Sequence, residues 1–362
     1  MIDSLAILGA GTMGTGIAIA ALAAGLPVRL VDRTEAAVEG AAARIARHFD
    51  RQMEKGRLSA AEAAARQAGL SRGTDLAAVA GAGLVIEAVF EDMDVKRALL
   101  ADLAPHLGVE TVVATNTSAL RVGDLAAAIA GLERFLGLHF FSPAEVNPLV
   151  EVVSGPTTSA RSVALARGFV ERIGKIALVC RDAPGFAVNR FFCPYTNEAV
   201  RLLDEGVADA AQIDRVARES FDLAMGPFAV MNIIKPRINL NAVRHLGPLG
   251  PSYAPAAGLV ATGEADRAWT IGAETPLDPV AEAEVAARLR AAVFLPVLEE
   301  LAEDVARPED IDAGARLALR FGRPPVALMR EAGEARVRDL VAAHAARFST
   351  PVPEAGLARI FA

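Results

Sequence analysis

Short apolar runs alternate with longer stretches of helical periodicity through the first half of the chain. The apolar runs cover residues 5–8, 28–31, 84–89, 112–115 and 135–138. Strands that alternate with helices predict a parallel sheet with right-handed crossovers. Two further runs, 149–153 and 176–180, predict additional strands at the edge of that sheet.

The second half of the chain has a different pattern, because helical periodicity continues from Phe186 with few β-branched runs. Two of its segments recur at one offset of 98 residues: 207–214 aligns with 305–312, and 225–231 aligns with 323–329. A common offset for two separate blocks indicates a duplicated helical unit.

A glycine-rich turn directly follows the first apolar run. Gly9, Gly11 and Gly14 are spaced as in turns that let the backbone approach a pyrophosphate at the start of a helix. Asp32 ends the next strand, where a carboxylate can accept hydrogen bonds from an adenosine ribose. Asp32 would also repel a 2′-phosphate, which favours NAD over NADP, although Arg33 leaves NADP possible. The spacing alone also fits an ordinary glycine turn beside a surface aspartate.

Together these patterns predict an α/β Rossmann-type NAD-binding domain followed by two tandem all-α helical domains. The expected boundaries are 1–183 for the NAD-binding domain, 184–278 for the first helical domain and 279–362 for the second. The second copy has Arg323-Pro-Pro-Val where the first has Met225-Gly-Pro-Phe, so we expect it to be a degenerate, structural repeat.

A histidine and a glutamate on neighbouring apolar runs form the second candidate site. His139 ends one run, and Glu151 lies twelve residues later on the next. Removing a proton from an alcohol requires a base with a pKa near neutrality, and a glutamate partner can fix the imidazole tautomer and stabilise its cation. A histidine taken alone is more often structural or solvated, so these two residues by themselves leave both interpretations open.

Seven motifs, taken in order, resemble the L-3-hydroxyacyl-CoA dehydrogenase family over roughly residues 5–230. They are GAGTMG at 9–14, EAVFE at 87–91, TNTS at 115–118, GLHFF at 137–141, LVE at 149–151, PGFAVNR at 184–190 and MGPF at 225–228. The resemblance implies reversible, NAD-dependent oxidation of an (S)-3-hydroxyacyl-CoA to a 3-oxoacyl-CoA, in fatty acid metabolism such as β-oxidation.

The resemblance also implies roles for individual catalytic residues. His139 corresponds to the family's base, which takes the hydroxyl proton while hydride leaves C3, and Glu151 corresponds to its carboxylate partner. Ser118 corresponds to a serine that hydrogen-bonds the reacting oxygen, and Asn189 to an asparagine at the cleft between the two domains. Apart from the resemblance, Ser118 fits a helix N-cap and Asn189 fits a cap or a turn.

Cofactor contacts are implied in the same way. Glu91 and Lys96 resemble contacts to the nicotinamide ribose, although their spacing also fits a solvated ion pair. The other implied cofactor residues are Gly9, Gly11, Thr12, Met13, Gly14, Asp32, Asn116 and Ser142. Four positions depart from the family pattern, which usually has asparagine at Ser142, methionine at Asn147, and aspartate and glycine where Asn232 and Lys235 stand. These departures leave the preferred acyl chain open.

A row of basic residues follows from helical spacing. Arg44, His48, Arg51 and Lys55 stand four, three and four residues apart and share one face of a predicted helix. The resemblance places a helical arm that contacts coenzyme A here, so His48, Arg51 and Lys55, together with Ser118, are the predicted substrate-binding residues. Cations suit the phosphates of coenzyme A, and a solvated helix face explains the row equally well.

Composition argues against several other classes of protein. The formal net charge of −7 does not suit a nucleic-acid-binding surface, which must displace phosphate counterions. No stretch of about 18 residues lacks charges and helix breakers, so we expect no membrane span. The N-terminal run follows Asp3 and is interrupted by glycines, unlike a signal peptide, and two cysteines predict neither a disulfide framework nor a metal site. We therefore expect a cytoplasmic protein.

Other dehydrogenase classes fit less well. A short-chain dehydrogenase needs lysine four residues after tyrosine, and neither Tyr195 nor Tyr253 has one. A β-hydroxyacid dehydrogenase needs asparagine four residues after its lysine, whereas Val179 follows Lys175 at that distance. Two alternatives remain. One is a family member that oxidises a free hydroxy or sugar acid, such as an L-gulonate dehydrogenase resembling lambda-crystallin, and the other is a non-catalytic NAD-binding protein.

The duplication also carries an expectation about assembly. The resemblance implies that single-copy members of the family form dimers through the helical domain. A fused second copy can occupy the place of the partner. We therefore expect residues 279–362 to cover the hydrophobic face of residues 184–246 as an internal pseudo-dimer, and the chain to be monomeric.

Overall fold

The computed structural model describes residues 2–129 and 131–362 of the chain. The chain forms two compact units, one ending at Asp182 and one spanning Ala183–Ala362. The observed boundary, between residues 182 and 183, lies one residue before the expected one, between residues 183 and 184. The helical half is a single compact unit, and the expected division between residues 278 and 279 lies inside it.

The first unit is built on one eight-stranded sheet. Its strands are β1 (Leu5–Leu8), β2 (Val28–Val31), β3 (Leu70–Gly73), β4 (Leu84–Glu87), β5 (Val112–Thr115), β6 (Phe135–Phe140), β7 (Leu149–Ser154) and β8 (Ile176–Arg181). They lie in the order β3-β2-β1-β4-β5-β6-β7-β8, and all neighbours are parallel except β6 and β7. The predicted Rossmann-type domain is confirmed.

Two details of the sheet differ from the expectation. β7 lies inside the sheet and runs antiparallel to β6. The connection between them spans only residues 141–148, and a parallel crossover needs a dozen or more residues. The edge strand β3 has a single apolar residue in Leu70-Ser-Arg-Gly73, so apolar periodicity could not predict it.

Six α-helices are described in the first unit: α1 (Thr12–Ala23), α2 (Glu35–Glu54), α3 (Ala60–Ala68), α4 (Met93–Leu103), α5 (Val122–Ala126) and α6 (Ala160–Arg172). α2 buries Val38, Ala41, Ile45 and Phe49, so its charged residues lie on the other faces of the helix. A capping box at Ser59 starts α3. Among the described residues, no helix has both the length and the apolar character needed to cross a membrane.

The described part of the second unit is all helical. Its α-helices are α7 (Val188–Asp204), α8 (Ala210–Phe221), α9 (Pro227–Ile234), α10 (Pro236–Leu246), α11 (Ala257–Glu264), α12 (Pro279–Ala302), α13 (Pro308–Leu319), α14 (Pro325–Ala332), α15 (Glu334–Arg347) and α16 (Glu354–Phe361). α13 and α14 begin and end 98 residues after α8 and α9. The repeat predicted from the sequence is therefore present in the structure.

The same capping device occurs in both copies. Asp214 accepts a hydrogen bond from Phe228 N at 2.8 Å, and Asp312 accepts one from Val326 N at 2.7 Å. Each aspartate thus satisfies free N–H groups at the start of the helix that follows, α9 or α14. This contact gives the aspartate the same role in both copies, although Met-Gly-Pro-Phe is present only in the first.

The second copy packs directly on the first. α12 lies against α7 and α8. The ring of Phe321, from the second copy, lies 5.2 Å from that of Phe221 and 5.9 Å from that of Tyr195, both from the first. Residues 279–362 therefore cover an apolar face of the first helical copy, as the duplication predicts.

An ion cluster also joins the two copies. Glu198 on α7 is fully buried and accepts hydrogen bonds from Arg288 on α12 at 2.7 Å and from Arg347 on α15. Arg201 pairs with the same carboxylate at 3.2 Å, while Glu205 binds Arg288 at 2.5 Å and Arg347 at 3.0 Å. The buried carboxylate of Glu198 thus contacts three arginines, and Glu205 contacts two of them.

Candidate active site

The glycine turn that follows β1 has room for a ligand at one of its three glycines. A Cβ at Gly9, where φ is +108°, would lie 2.5 Å from Ala88 O, and a Cβ at Gly14 would lie 1.9 Å from Gly9 O. A Cβ at Gly11 would meet nothing within 4 Å. Gly9 and Gly14 are therefore required by packing, whereas Gly11 borders open space at the start of α1.

The residues around this space fit a dinucleotide. Thr12 and Met13 begin α1, so their backbone N–H groups have no acceptor within the helix and are available to a pyrophosphate. Asp32 follows β2, where its Oδ2 accepts from Ala10 N at 2.7 Å and its Oδ1 accepts from Arg33 N at 2.7 Å. A carboxylate has further lone pairs, so Asp32 can also accept from ribose hydroxyls.

His139 and Glu151 face each other across the antiparallel pair β6 and β7. His139 Nδ1 lies 2.6 Å from Glu151 Oε2, and both side chains are buried. Directly opposite residues of antiparallel strands project from the same face, which is why a separation of twelve residues brings them together. The ring of Phe141, 4.5 Å from the imidazole, packs against it. A buried carboxylate that accepts from Nδ1–H leaves Nε2 as the basic atom.

Glu91 ties the loop after β4 to the loop after β5. Its Oε1 accepts from Thr117 Oγ1 at 2.6 Å, Ser118 N at 2.8 Å and Ala119 N at 3.0 Å, with Ser118 Oγ at 3.3 Å. Burial alone would raise the pKa of Glu91, but the Lys96 ammonium and these hydrogen bonds outweigh it and lower the pKa. Ser118 is therefore held in place by a charged carboxylate.

Lys96 occupies a buried position among carboxylates. Its side chain is 1% exposed, and its Nζ lies 2.7 Å from Glu87 Oε1 and 3.4 Å from Glu91 Oε2. Glu87 also accepts from Thr115 Oγ1 at 2.7 Å. No role is predicted for Glu87 from the sequence, although a glutamate that ends an apolar strand nine residues before a lysine is a pattern that indicates such a pair. Contact of Lys96 with the nicotinamide ribose stays a prediction.

Two further predicted cofactor residues flank the end of β6. Asn116 Oδ1 accepts from Phe140 N at 2.9 Å, so the asparagine fixes the backbone next to His139. Ser142 lies beyond the strand and is exposed. Asn189, predicted to complete the catalytic set, belongs to the second unit, where it lies in the first turn of α7 and is half-buried. The roles of all three stay predictions.

The predicted basic face of α2 does not behave as one row. His48 is half-buried, and burial lowers its pKa. Arg51 and Lys55 are exposed at the end of the helix, with Arg51 Nε donating to Arg47 O at 3.2 Å. Arg44 instead directs its guanidinium to the glycine turn. The structure therefore leaves His48, Arg51 and Lys55 as the part of the row available to an anionic ligand.

Family models match most of the chain. Residues 4–183 match the NAD binding domain of 3-hydroxyacyl-CoA dehydrogenase, and residues 185–277 match its C-terminal domain. The chain belongs to the 3-hydroxyacyl-CoA dehydrogenase family, and its first unit is the family's NAD-binding domain. The resemblance found in the sequence motifs is confirmed.

Individual relatives agree with this assignment. The chain is 36% identical over 233 residues to the fatty acid oxidation complex subunit alpha of Pseudomonas syringae, a match that covers 64% of this chain and 32% of that protein. The chain thus spans about a third of that relative. A crystal structure of 3-hydroxybutyryl-CoA dehydrogenase from Escherichia coli K12 matches with a TM-score of 0.86 and 26% identity, over 98% of this chain and 96% of that one. (S)-3-hydroxybutyryl-CoA dehydrogenase from Ralstonia eutropha matches with a TM-score of 0.71 and 34% identity, over 73% and 94%.

Proposed function

We propose that the protein oxidises the 3-hydroxyl group of an (S)-3-hydroxyacyl-CoA to the 3-oxoacyl-CoA, reversibly and with NAD. The observation that carries the proposal is the buried pair of His139 and Glu151, joined at 2.6 Å. A pair of this kind suits proton removal from an alcohol. The names of the Escherichia coli and Ralstonia relatives support the substrate class, and that of the Pseudomonas relative supports a place in fatty acid oxidation.

The proposed mechanism depends on which atom accepts the proton of the substrate hydroxyl. Nε2 of His139 takes the hydroxyl proton, and the C3–O bond becomes a carbonyl as hydride leaves C3. Glu151 holds the Nδ1–H and stabilises the imidazolium that forms. Ser118, whose backbone N–H donates to Glu91, would hydrogen-bond the reacting oxygen. The start of α1 would hold the pyrophosphate of NAD and Asp32 would hold its adenosine ribose, and NAD would supply the hydride acceptor.

A substrate panel tests the proposal. NADH formation is followed for (S)-3-hydroxyacyl-CoA esters of increasing chain length and for the matching free hydroxy acids and sugar acids. Turnover that requires the CoA ester supports the proposal. Equal or better turnover of free acids assigns the protein to the free-acid alternative, and NAD binding without turnover of either set assigns it to the non-catalytic one.

Removal of the Asp32 carboxylate is expected to change cofactor selection. Asp32→Ala should raise KM for NAD and reduce its advantage over NADP, because the ribose hydroxyls lose an acceptor and a 2′-phosphate loses a repulsive neighbour. Steady-state kinetics with both cofactors provide the measurement. Unchanged KM values for both would show that this carboxylate does not face the ribose.

Charge removal from the end of α2 is expected to weaken binding of the CoA nucleotide. Arg51→Ala with Lys55→Ala should raise KM for the CoA ester and flatten its dependence on salt, since phosphate contacts are charge-assisted and screened. A pantetheine ester, which lacks the nucleotide, should be almost unaffected. Arg161→Ala, at a 74% exposed site on α6, is the matched control. Equal losses for both esters would make the face an ordinary solvated surface.

We also infer a monomer, because the second helical copy covers an apolar face of the first. Size exclusion with light scattering should give the mass of one chain, 37.7 kDa. A stable dimer that contacts the face of residues 184–246 would contradict the inference, whereas a dimer formed through another surface leaves the internal pairing intact. The cytoplasmic location expected from the sequence stays a prediction.

A further inference from the structure

Arg44 makes contacts that its place in the basic row of α2 does not predict. Its Nη2 donates to Ala10 O at 2.7 Å and to Thr15 Oγ1 at 2.7 Å. Ala10 lies inside the glycine turn, and Thr15 lies in the first turn of α1. One guanidinium on α2 therefore bridges the turn and the helix that the turn begins.

The peptide groups of Ala10 are held from two directions. The N–H of Ala10 donates to Asp32 Oδ2 at 2.7 Å, from the end of β2. Its carbonyl accepts from Arg44 and also from Thr15 Oγ1 at 3.2 Å. Gly9 N donates to Val31 O at 2.8 Å, which fixes the residue before it. Arg44 is thus the α2 component of a framework whose other anchors are Thr15 on α1 and Val31 and Asp32 at the end of β2.

The charge of Arg44 has a consequence for an anion at this place. The start of a helix already carries partial positive charge, and an arginine beside it adds to the local positive potential. The carbonyl of Ala10 and the hydroxyl of Thr15 offset part of that charge. A pyrophosphate at Gly11 would bring negative charge close to the guanidinium. Both the start of the helix and Arg44 would then strengthen its binding.

We propose that Arg44 is a positioning residue for the cofactor, which keeps the glycine turn in its pyrophosphate-binding shape by holding Ala10 O and Thr15 Oγ1 together. The proposal rests on the proposed NAD-dependent function. Substitution of Arg44 should therefore weaken cofactor binding and leave the hydride step unchanged. Arg44 contacts the glycine turn, whereas the proposed base, His139, lies on β6.

Three substitutions separate the contact from the charge. Arg44→Ala removes both, Arg44→Met keeps most of the length without charge, and Arg44→Lys keeps the charge without the planar guanidinium that bridges two acceptors. Arg57→Ala, in the exposed turn after α2, is the matched control for loss of one positive charge. Direct titration of each folded variant with NADH, without substrate, gives Kd independently of which alcohol the enzyme oxidises.

The alanine and methionine variants should bind NADH about 10-fold more weakly, as expected for loss of a charge-assisted contact, and the lysine variant should recover only part of that loss. ADP should compete with NADH more weakly in the Arg44→Met variant than in the parent protein, whereas adenosine, which has no phosphate, should compete equally. KM for NAD should rise in parallel with Kd, with kcat at saturating NAD within about twofold of the parent value.

Specific results would overturn the proposal. Unchanged NADH affinity in Arg44→Met would show that the turn keeps its shape without the guanidinium. Full recovery by lysine would show that charge alone matters, and an equal loss in Arg57→Ala would show that the effect is general. Failure of the proposed function has a different signature: CoA esters would not be oxidised, yet NADH binding would still depend on Arg44.

Discussion

Replacement of His139 by asparagine is expected to lower kcat by about 10² to 10⁴, the usual contribution of a general base, with little change in NADH affinity. The imidazole lies on β6, paired with Glu151 at 2.6 Å, whereas the cofactor contacts are assigned to the glycine turn and Asp32. The loss should therefore appear in kcat and in kcat/KM together, as for an interaction made in the transition state. Initial rates of NADH formation and an NADH titration measure the two effects separately.

Two controls separate loss of the base from loss of structure. His245→Asn, at an exposed histidine of the second unit, should leave kcat unchanged. Glu151→Gln keeps a hydrogen-bond acceptor for Nδ1–H but removes the charge that stabilises the imidazolium, so its kcat should fall between those of the parent and the His139 variant. Full turnover by a folded His139→Asn protein would show that His139 is not the general base.

The sequence was sufficient where a pattern repeats or has a fixed spacing. The glycine turn and Asp32 are local to one strand–helix–strand unit, and the offset of 98 residues reflects two copies of one helical arrangement. The pairing of His139 with Glu151 also follows from two neighbouring strands, although the antiparallel register that brings them together had to come from the structure. Family motifs supplied the roles, and geometry supplied the reason the residues meet.

Contacts between distant elements escaped prediction because side-chain direction is not encoded in spacing alone. Arg44 shares a helix face with His48, yet its long side chain reaches the glycine turn and does not extend into solvent, where it could meet the phosphates of coenzyme A. Lys96 is adjacent in sequence to exposed residues, yet its ammonium lies buried against Glu87. In both cases a basic group meets acceptors from another element, and only the fold brings those acceptors into reach.

Replacement of Glu198 by alanine is expected to destabilise the second unit by about 3 to 5 kcal/mol, the usual effect of removing one partner from a buried ion pair. Glu198 is fully buried, and Arg288, Arg347 and Arg201 all point to its carboxylate. Burial alone would raise the pKa of Glu198, but the neighbouring arginines help to outweigh it and the pKa is lowered, so the carboxylate is charged. Its removal leaves three guanidinium groups with no buried carboxylate among their partners, because Glu205 and Glu284 are both about half-exposed.

Denaturant unfolding followed by tryptophan fluorescence suits this test, because the only tryptophan, Trp269, lies in the second unit and packs on Phe228 with ring centroids 5.1 Å apart. Glu354→Ala is the matched control, since its pair with Arg338 lies at the surface, with side chains 64% and 41% exposed, and such pairs contribute about 1 kcal/mol or less. Because α7 carries Glu198 while α12 and α15 carry two of its arginines, the cluster joins the first helical copy to the second. A Glu198→Ala protein as stable as the control would mean that the cluster around Glu198 contributes no more to stability than a surface ion pair does.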